Sequence, residues 1–139
     1  MRKITILLVA AFIALISAGV TCEASIDETE TVKAAAYEKI TPEEAKLIMD
    51  SGKPYILLDV RTDSEFKEKH IQGAILIPDS LIISKAESAF PNKNAVILVY
   101  CRSGRRSANA AKELINLGYS NVLDFGGILS WTYETTSLR

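Results

Sequence analysis

Cys101 opens the run Cys101-Arg102-Ser103-Gly104-Arg105-Arg106-Ser107, which puts a thiol in one short segment with three guanidinium groups, two hydroxyls and a glycine. Neighbouring positive charge favours thiolate over thiol, and the thiolate is the nucleophile; cysteines in such settings have pKa values drawn from about 8.5 into the range of roughly 3.5 to 7.5. The bland alternative is a buried structural cysteine beside a solvated basic loop. The glycine, the arginine cluster and the flanking elements favour the nucleophile. Asp59 and Arg61 are further candidates, as a charged pair orienting loops near Cys101, although a charged strand end is an ordinary feature.

The elements that must hold this segment are visible on both sides of it. Ala95 to Tyr100 is a continuous apolar run, as expected of a strand covered on both faces. From Ser107 to Leu117, Ala108, Ala111, Leu114 and Ile115 form one helical stripe, and Gly118 is placed to stop it. The cysteine therefore falls between a strand end and a helix start, where free N–H groups and the positive end of the helix dipole favour an anion. Tyr55 to Val60, Ala74 to Ile77 and Asn121 to Asp124 read as further buried strands, and Tyr37 to Ile40 as an additional one. Thr41-Pro42-Glu43-Glu44 is a capping box with proline at the first helical position, opening a helix whose face carries Ala45, Ile48 and Met49 and which ends at Gly52. Strands alternating with helices predict a three-layer α/β domain with a parallel sheet, whose active site lies beyond the carboxyl ends of the strands.

Composition narrows the function. The chain has 139 residues, enough for one domain, and 16 Lys+Arg against 17 Asp+Glu give a formal net charge of −1. That balance lacks the basic excess of a nucleic-acid binder. Two cysteines and one histidine cannot make a disulfide framework and are too few for a tetrahedral zinc site without carboxylates, and no Cys-x-x-Cys redox motif occurs. Neither a metal nor a cofactor is expected.

Residues 1 to 24 read as a targeting segment: Met1-Arg2-Lys3 is basic, Ile4 to Ile16 is apolar apart from Thr5, and Ser17-Ala18-Gly19-Val20 is small. The apolar run is shorter than the roughly 20 residues of a spanning helix. Cleavage after Ala24 and lipidation of Cys22 both remain open, although Gly19-Val20-Thr21-Cys22 departs from the usual lipobox. Either route predicts an exported protein, periplasmic or extracytoplasmic, touching a membrane only through this segment or a lipid on Cys22. Residues 25 to 36 read as a polar, acidic tether and residues 37 to 139 as the domain. Once the segment is removed, Cys101 is the lone cysteine, and an unpaired thiol in an exported protein needs an explanation.

Three motifs in order resemble the rhodanese, or thiosulfate sulfurtransferase, homology family. Cys101 to Ser107 is similar to the active-site loop of single-domain rhodaneses. Leu58-Asp59-Val60-Arg61, Glu65-Phe66 and His70-Ile71-Gln72-Gly73-Ala74 through Ile77-Pro78 resemble the upstream signature, and Gly126-Gly127-Ile128 with Trp131 the C-terminal one. The resemblance runs from about Tyr37 to the C-terminus. It implies a rhodanese-like parallel sheet of about five strands flanked by helices on both sides, with Cys101 carrying a transferable sulfur as a persulfide. The sulfur would come from a small donor such as thiosulfate and pass to a thiophilic acceptor, cyanide or a thiol. The N–H groups of residues 102 to 106 (Arg102, Ser103, Gly104, Arg105 and Arg106) would cradle it, Arg102 and Arg105 would hold the anionic donor, and Arg106 would close the loop.

Loop length separates this reading from the phosphatases and arsenate reductases of the same fold, which use Cys-x5-Arg; here Arg106 comes one residue sooner and Ser107 stands at the later position. A catalytically weak sulfur-binding or sensing module is the alternative from another class. His70 is expected to be structural, Trp131 and Phe125 to be packing, and Glu65, Lys67, Glu68 and Lys69 to form a solvated helix face. The domain is expected to act as a monomer, with a thiol reductant as a candidate partner because an exported thiol is exposed to oxidation.

Overall fold

The computed structural model describes residues 36–138. The expected targeting segment, the lipidation question at Cys22 and nearly all of the tether lie outside those residues. The described chain runs β1 (Glu38–Lys39), α1 (Pro42–Asp50), β2 (Ile56–Asp59), α2 (Asp63–Glu68), β3 (Ile75–Leu76), α3 (Ile82–Ala89), β4 (Val96–Cys101), α4 (Arg105–Asn116) and β5 (Asn121–Gly127). Short 3-10 turns occupy Asp79–Leu81 and Ile128–Ser130. The five strands form one sheet in the order β1-β5-β4-β2-β3, and every pairing is parallel.

Alternation along the central strands divides the core into two layers. Leu58, Ile97 and Val99 pack with Ile82 and Ala86 of α3 and Leu114 of α4 on one side. Leu57, Leu98 and Tyr100 pack with Ala45 of α1, Phe125 and Trp131 on the other. Helices thus cover both faces of a parallel sheet, the three-layer architecture expected from the sequence. Cys101 belongs to the layer under α3 and α4.

Several boundaries differ from the sequence reading. α1 is capped as expected, with the Thr41 hydroxyl accepting from the Glu44 amide and the Glu44 carboxylate from the Thr41 amide. α3 was not expected: it is short, has no side-chain cap, and buries only Ile82 and Ala86, one turn apart. α4 begins at Arg105, two residues before the expected start at Ser107, because its first two residues are arginines that carry no hydrophobic signal. β5 runs past Asp124 to Gly127, with a register shift against β4 between Val99 and Cys101. Asp124 turns its carboxylate back to accept from the Gly126 amide at 3.0 Å within that irregularity.

Because the sheet is parallel, the ends of β2, β4 and β5 share one edge, and this brings Asp59, Cys101 and Gly127 together.

Candidate active site

Cys101 is the last residue of β4 and its side chain is buried. The chain then turns through Arg102, Ser103 and Gly104 into α4. Gly104 precedes the helix at φ 103°, in the left-handed region where a side chain would be strained, and from there its N–H donates to Cys101 Sγ at 3.0 Å. Ser107, wholly buried one turn into the helix, places its Oγ 3.6 Å from the same sulfur. That hydroxyl also lies 3.0 Å from the Gly104 carbonyl and 3.1 Å from the Gly126 carbonyl. In the thiol form Cys101 donates to Ser107, which donates onward to a carbonyl; in the thiolate form the hydroxyl is positioned to turn and donate to sulfur.

Two opposing effects act on the thiol. Burial pushes its pKa up, while the Ser107 hydroxyl and the amides of Ser107, Gly104 and Ser103 stabilise the anion and outweigh burial, leaving Cys101 below the ordinary cysteine value. The sequence reading gave this role to free backbone N–H groups, the helix dipole and arginine charge together. The groups nearest the sulfur are the backbone N–H donors and one hydroxyl, Ser107, that the reading did not assign.

The floor of the loop is β5. A Cβ on Gly127 would overlap the Arg102 carbonyl and Ser103 Cα, so only glycine lets the strand pass this close beneath the loop. The Leu129 amide then donates to the Arg102 carbonyl at 3.2 Å, tying the following 3-10 turn to the loop.

The three arginines part company. Arg102 and Arg105 are exposed, and neither makes an ion pair among the described residues. Arg106, in contrast, turns to Glu65 of α2 and donates twice to its carboxylate, both bonds at 2.8 Å. Glu65 is therefore not part of a solvated helix face. It also accepts from the Thr62 amide at 3.0 Å as the partner in that helix's capping box.

Asp59 and Arg61 do form a pair, fully buried and bidentate. Arg61 Nε lies 3.0 and 3.1 Å from the two carboxylate oxygens, Arg61 Nη2 lies 2.7 Å from Asp59 Oδ2, and Nη2 also donates to the Lys69 carbonyl at 2.6 Å. The pair thus pins the segment after α2 to the end of β2. His70 is structural, as expected: Nδ1–H donates to the Phe66 carbonyl at 2.7 Å, the ring stacks on Phe66 at 3.8 Å, and the backbone bridges to Thr136. Phe125 and Trp131 pack together with ring centroids 5.6 Å apart.

A cleft of about 320 Å³ adjoins the loop, lined by Arg61, Glu65, Glu68, Arg102, Leu129 and Trp131 among others. A larger groove of about 520 Å³ lies between α1 and the C-terminal segment and is lined by neither Cys101 nor any residue of its loop. Among the described residues, no three His, Cys, Asp or Glu side chains come together to hold a metal.

The family profile described as Rhodanese-like domain matches residues 41–134, most of the chain and all of this site. The chain belongs to the rhodanese-like domain family. It is 38% identical over 71 residues to the thiosulfate sulfurtransferase PspE of Escherichia coli, a match covering 51% of this chain and 68% of that protein. It is also 38% identical over 106 residues to the probable adenylyltransferase/sulfurtransferase MoeZ of Mycobacterium tuberculosis. There the match takes in 76% of this chain and only 27% of the longer relative. Among solved structures, a rhodanese-like domain protein from Staphylococcus aureus superposes with TM-score 0.65 at 33% identity, covering 73% of this chain and 99% of that one. For an Escherichia coli rhodanese with anions the values are 0.58 and 32%, covering 60% and 99%.

The rhodanese-like site thus includes three residues that were not singled out for it in the sequence. Ser107 was noted as the last residue of the resembling loop, as the start of the helix and as the position where a longer loop would carry arginine, but not as a partner of the sulfur, and Gly127 only as part of a signature. Glu65 could have been found from its capping-box spacing to Thr62, but not its pairing with Arg106.

Proposed function

We propose that this chain is a sulfurtransferase in which Cys101 carries the sulfur as a persulfide. The carrying observation is the donor set around Sγ: the Gly104 amide at 3.0 Å, with Ser107 Oγ at 3.6 Å behind it, in a loop whose amides lower the thiol pKa. In the first half-reaction the Cys101 thiolate attacks the outer sulfur of thiosulfate. The new Sγ–S bond forms as the sulfur–sulfur bond of the donor breaks, and sulfite leaves with the electron pair. In the second, cyanide or a thiolate attacks the outer sulfur of the persulfide and the Cys101 thiolate is released. This is covalent catalysis with ping-pong kinetics. The loop amides stabilise the anionic sulfur in both steps, and exposed Arg102 and Arg105 attract the dianionic donor and the departing sulfite.

The buried Ser107 hydroxyl argues against phosphatase chemistry, because it fills the position where a Cys-x5-Arg cradle places its guanidinium. Membership of a family that includes sulfurtransferases supports sulfur transfer in general, and thiosulfate is the donor of the PspE relative by name. The reading of residues 1 to 24 as an export signal places this activity outside the cytoplasm, where a reducing thiol partner would keep Cys101 from over-oxidation.

The test is thiocyanate release from thiosulfate and cyanide, run beside Cys101→Ser, with intact mass recorded under non-reducing conditions. A sulfur-sized mass gain and turnover in the wild type, both absent from the variant, are expected. Absence of any mass gain at Cys101 with thiosulfate or another sulfane donor sinks the proposal and favours the binding module.

A further inference from the structure

We propose that Glu65 is a positioning residue for the cysteine loop, acting through Arg106: its carboxylate clamps the guanidinium so that Arg106 holds the loop closed around Cys101 instead of binding the donor. The proposal rests on the reading of Cys101 as the nucleophile, but its test does not require sulfur transfer.

The clamp joins positions 41 residues apart, α2 to the first turn of α4. Both oxygens of Glu65 are used, one on each terminal nitrogen of Arg106, in the parallel two-bond geometry that fixes orientation as well as distance. Both side chains are largely shielded, at 20% and 23% exposure, so solvent competes poorly for these bonds. Glu65 is itself held in place, because Oε2 accepts from the Thr62 amide at 3.0 Å and from the Thr62 hydroxyl at 2.9 Å. A pre-oriented carboxylate thus reaches across to the second residue of α4, and Gly104, whose amide meets the sulfur, lies just before that helix.

After Glu65, negative charge at Cys101 and Asp79 also favours the protonated guanidinium of Arg106. Asp79 makes no hydrogen bond to it among the described residues. Of the three loop arginines, then, two are left to meet an anionic donor, and the third is committed to its ion pair with Glu65.

The sign of one measurement separates positioning from a bystander charge. Neutralising a carboxylate near a thiol by itself lowers the thiol pKa, because a negative charge that opposed the thiolate has gone. Releasing Arg106 and loosening the Gly104 amide has the opposite effect. Glu65→Gln keeps an acceptor for the capping box and removes the charged fork.

In the full chain, the pH profile of Cys101 alkylation by iodoacetamide is expected to shift upward by about half to one pH unit in Glu65→Gln. In Arg106→Gln it should shift upward similarly, and adding Glu65→Gln to that background should produce no further rise. Arg106→Lys leaves Glu65 and its cap intact but cannot make the fork, so it should also raise the profile, which keeps the test available if the Glu65→Gln variant proves poorly folded. With thiosulfate, kcat should fall by about tenfold while KM changes less than about twofold, because Arg102 and Arg105 still face the donor. A thiol pKa that falls or stays unchanged in Glu65→Gln, or that rises equally with and without Arg106, overturns the proposal. So does an unchanged profile in Arg106→Lys.

Discussion

At the scale of single residues, reactivity at Cys101 is a balance between burial and donors. Burial alone would make it an inert core thiol, and the Ser107 hydroxyl is the largest of the effects that reverse this. A hydrogen bond to a charged acceptor contributes on the order of 1.5–3 kcal/mol. Ser107→Ala should therefore raise the thiol pKa by about one unit and slow alkylation at pH 7 severalfold. The pH profile of iodoacetamide labelling reads this directly, and a profile matching the wild type would show that the amides suffice. The cysteine and its loop partners Arg102, Ser103, Gly104 and Arg105 were legible in sequence because they are consecutive. The role of Ser107 was not, since serine at that spacing is equally compatible with an exposed helix turn. Only its burial against the Gly126 carbonyl and the sulfur reveals the contact.

At the scale of elements, the site depends on how β5 passes beneath the loop between β4 and α4. Gly127 meets Arg102 and Ser103 through backbone atoms, which cannot rotate away as a side chain could. Gly127→Ala should therefore displace the loop, costing about 1–3 kcal/mol in urea unfolding. It should also reduce persulfide formation by far more than the loss of folded protein explains. Near-native persulfidation together with near-native stability would contradict the close approach. The strands were legible because parallel strands buried on both faces read as continuous apolar runs, as in Tyr55 to Val60 and Ala95 to Tyr100. α3 was hidden for the complementary reason: it is short, lacks a capping residue, and buries only Ile82 and Ala86, so its order comes from packing on the sheet.

At the scale of the whole molecule, the two buried or shielded ion pairs tie the loops of the active edge to one another, and one of them makes stability depend on pH. The Arg106 guanidinium holds the Glu65 carboxyl down at about 2, against 4.5 for a free glutamate. A group whose pKa is depressed by folding stabilises the fold above its unfolded value and loses that contribution as pH falls toward its folded value. The pair should thus support the fold at neutral pH, and its contribution should fade between about pH 4.5 and pH 2. Allowing for partial exposure, the effect is on the order of 1–2 kcal/mol. Urea unfolding of Glu65→Gln against wild type should show this deficit at pH 7 and little at pH 2; a deficit undiminished at pH 2 would place its origin outside the ion pair. The sequence by itself determined the α/β class, the two-faced strands, the helix starts at Thr41 and near Ser107, and the cysteine at a strand-to-helix turn, because each is encoded by neighbours within a few residues. Tertiary structure alone decided that Arg106 belongs to Glu65, that Ser107 faces the sulfur, and that Gly127 underlies Arg102. Those contacts join segments brought to one edge by the parallel sheet, and no local pattern of residue types records which distant partner a charge, a hydroxyl or a missing side chain will meet.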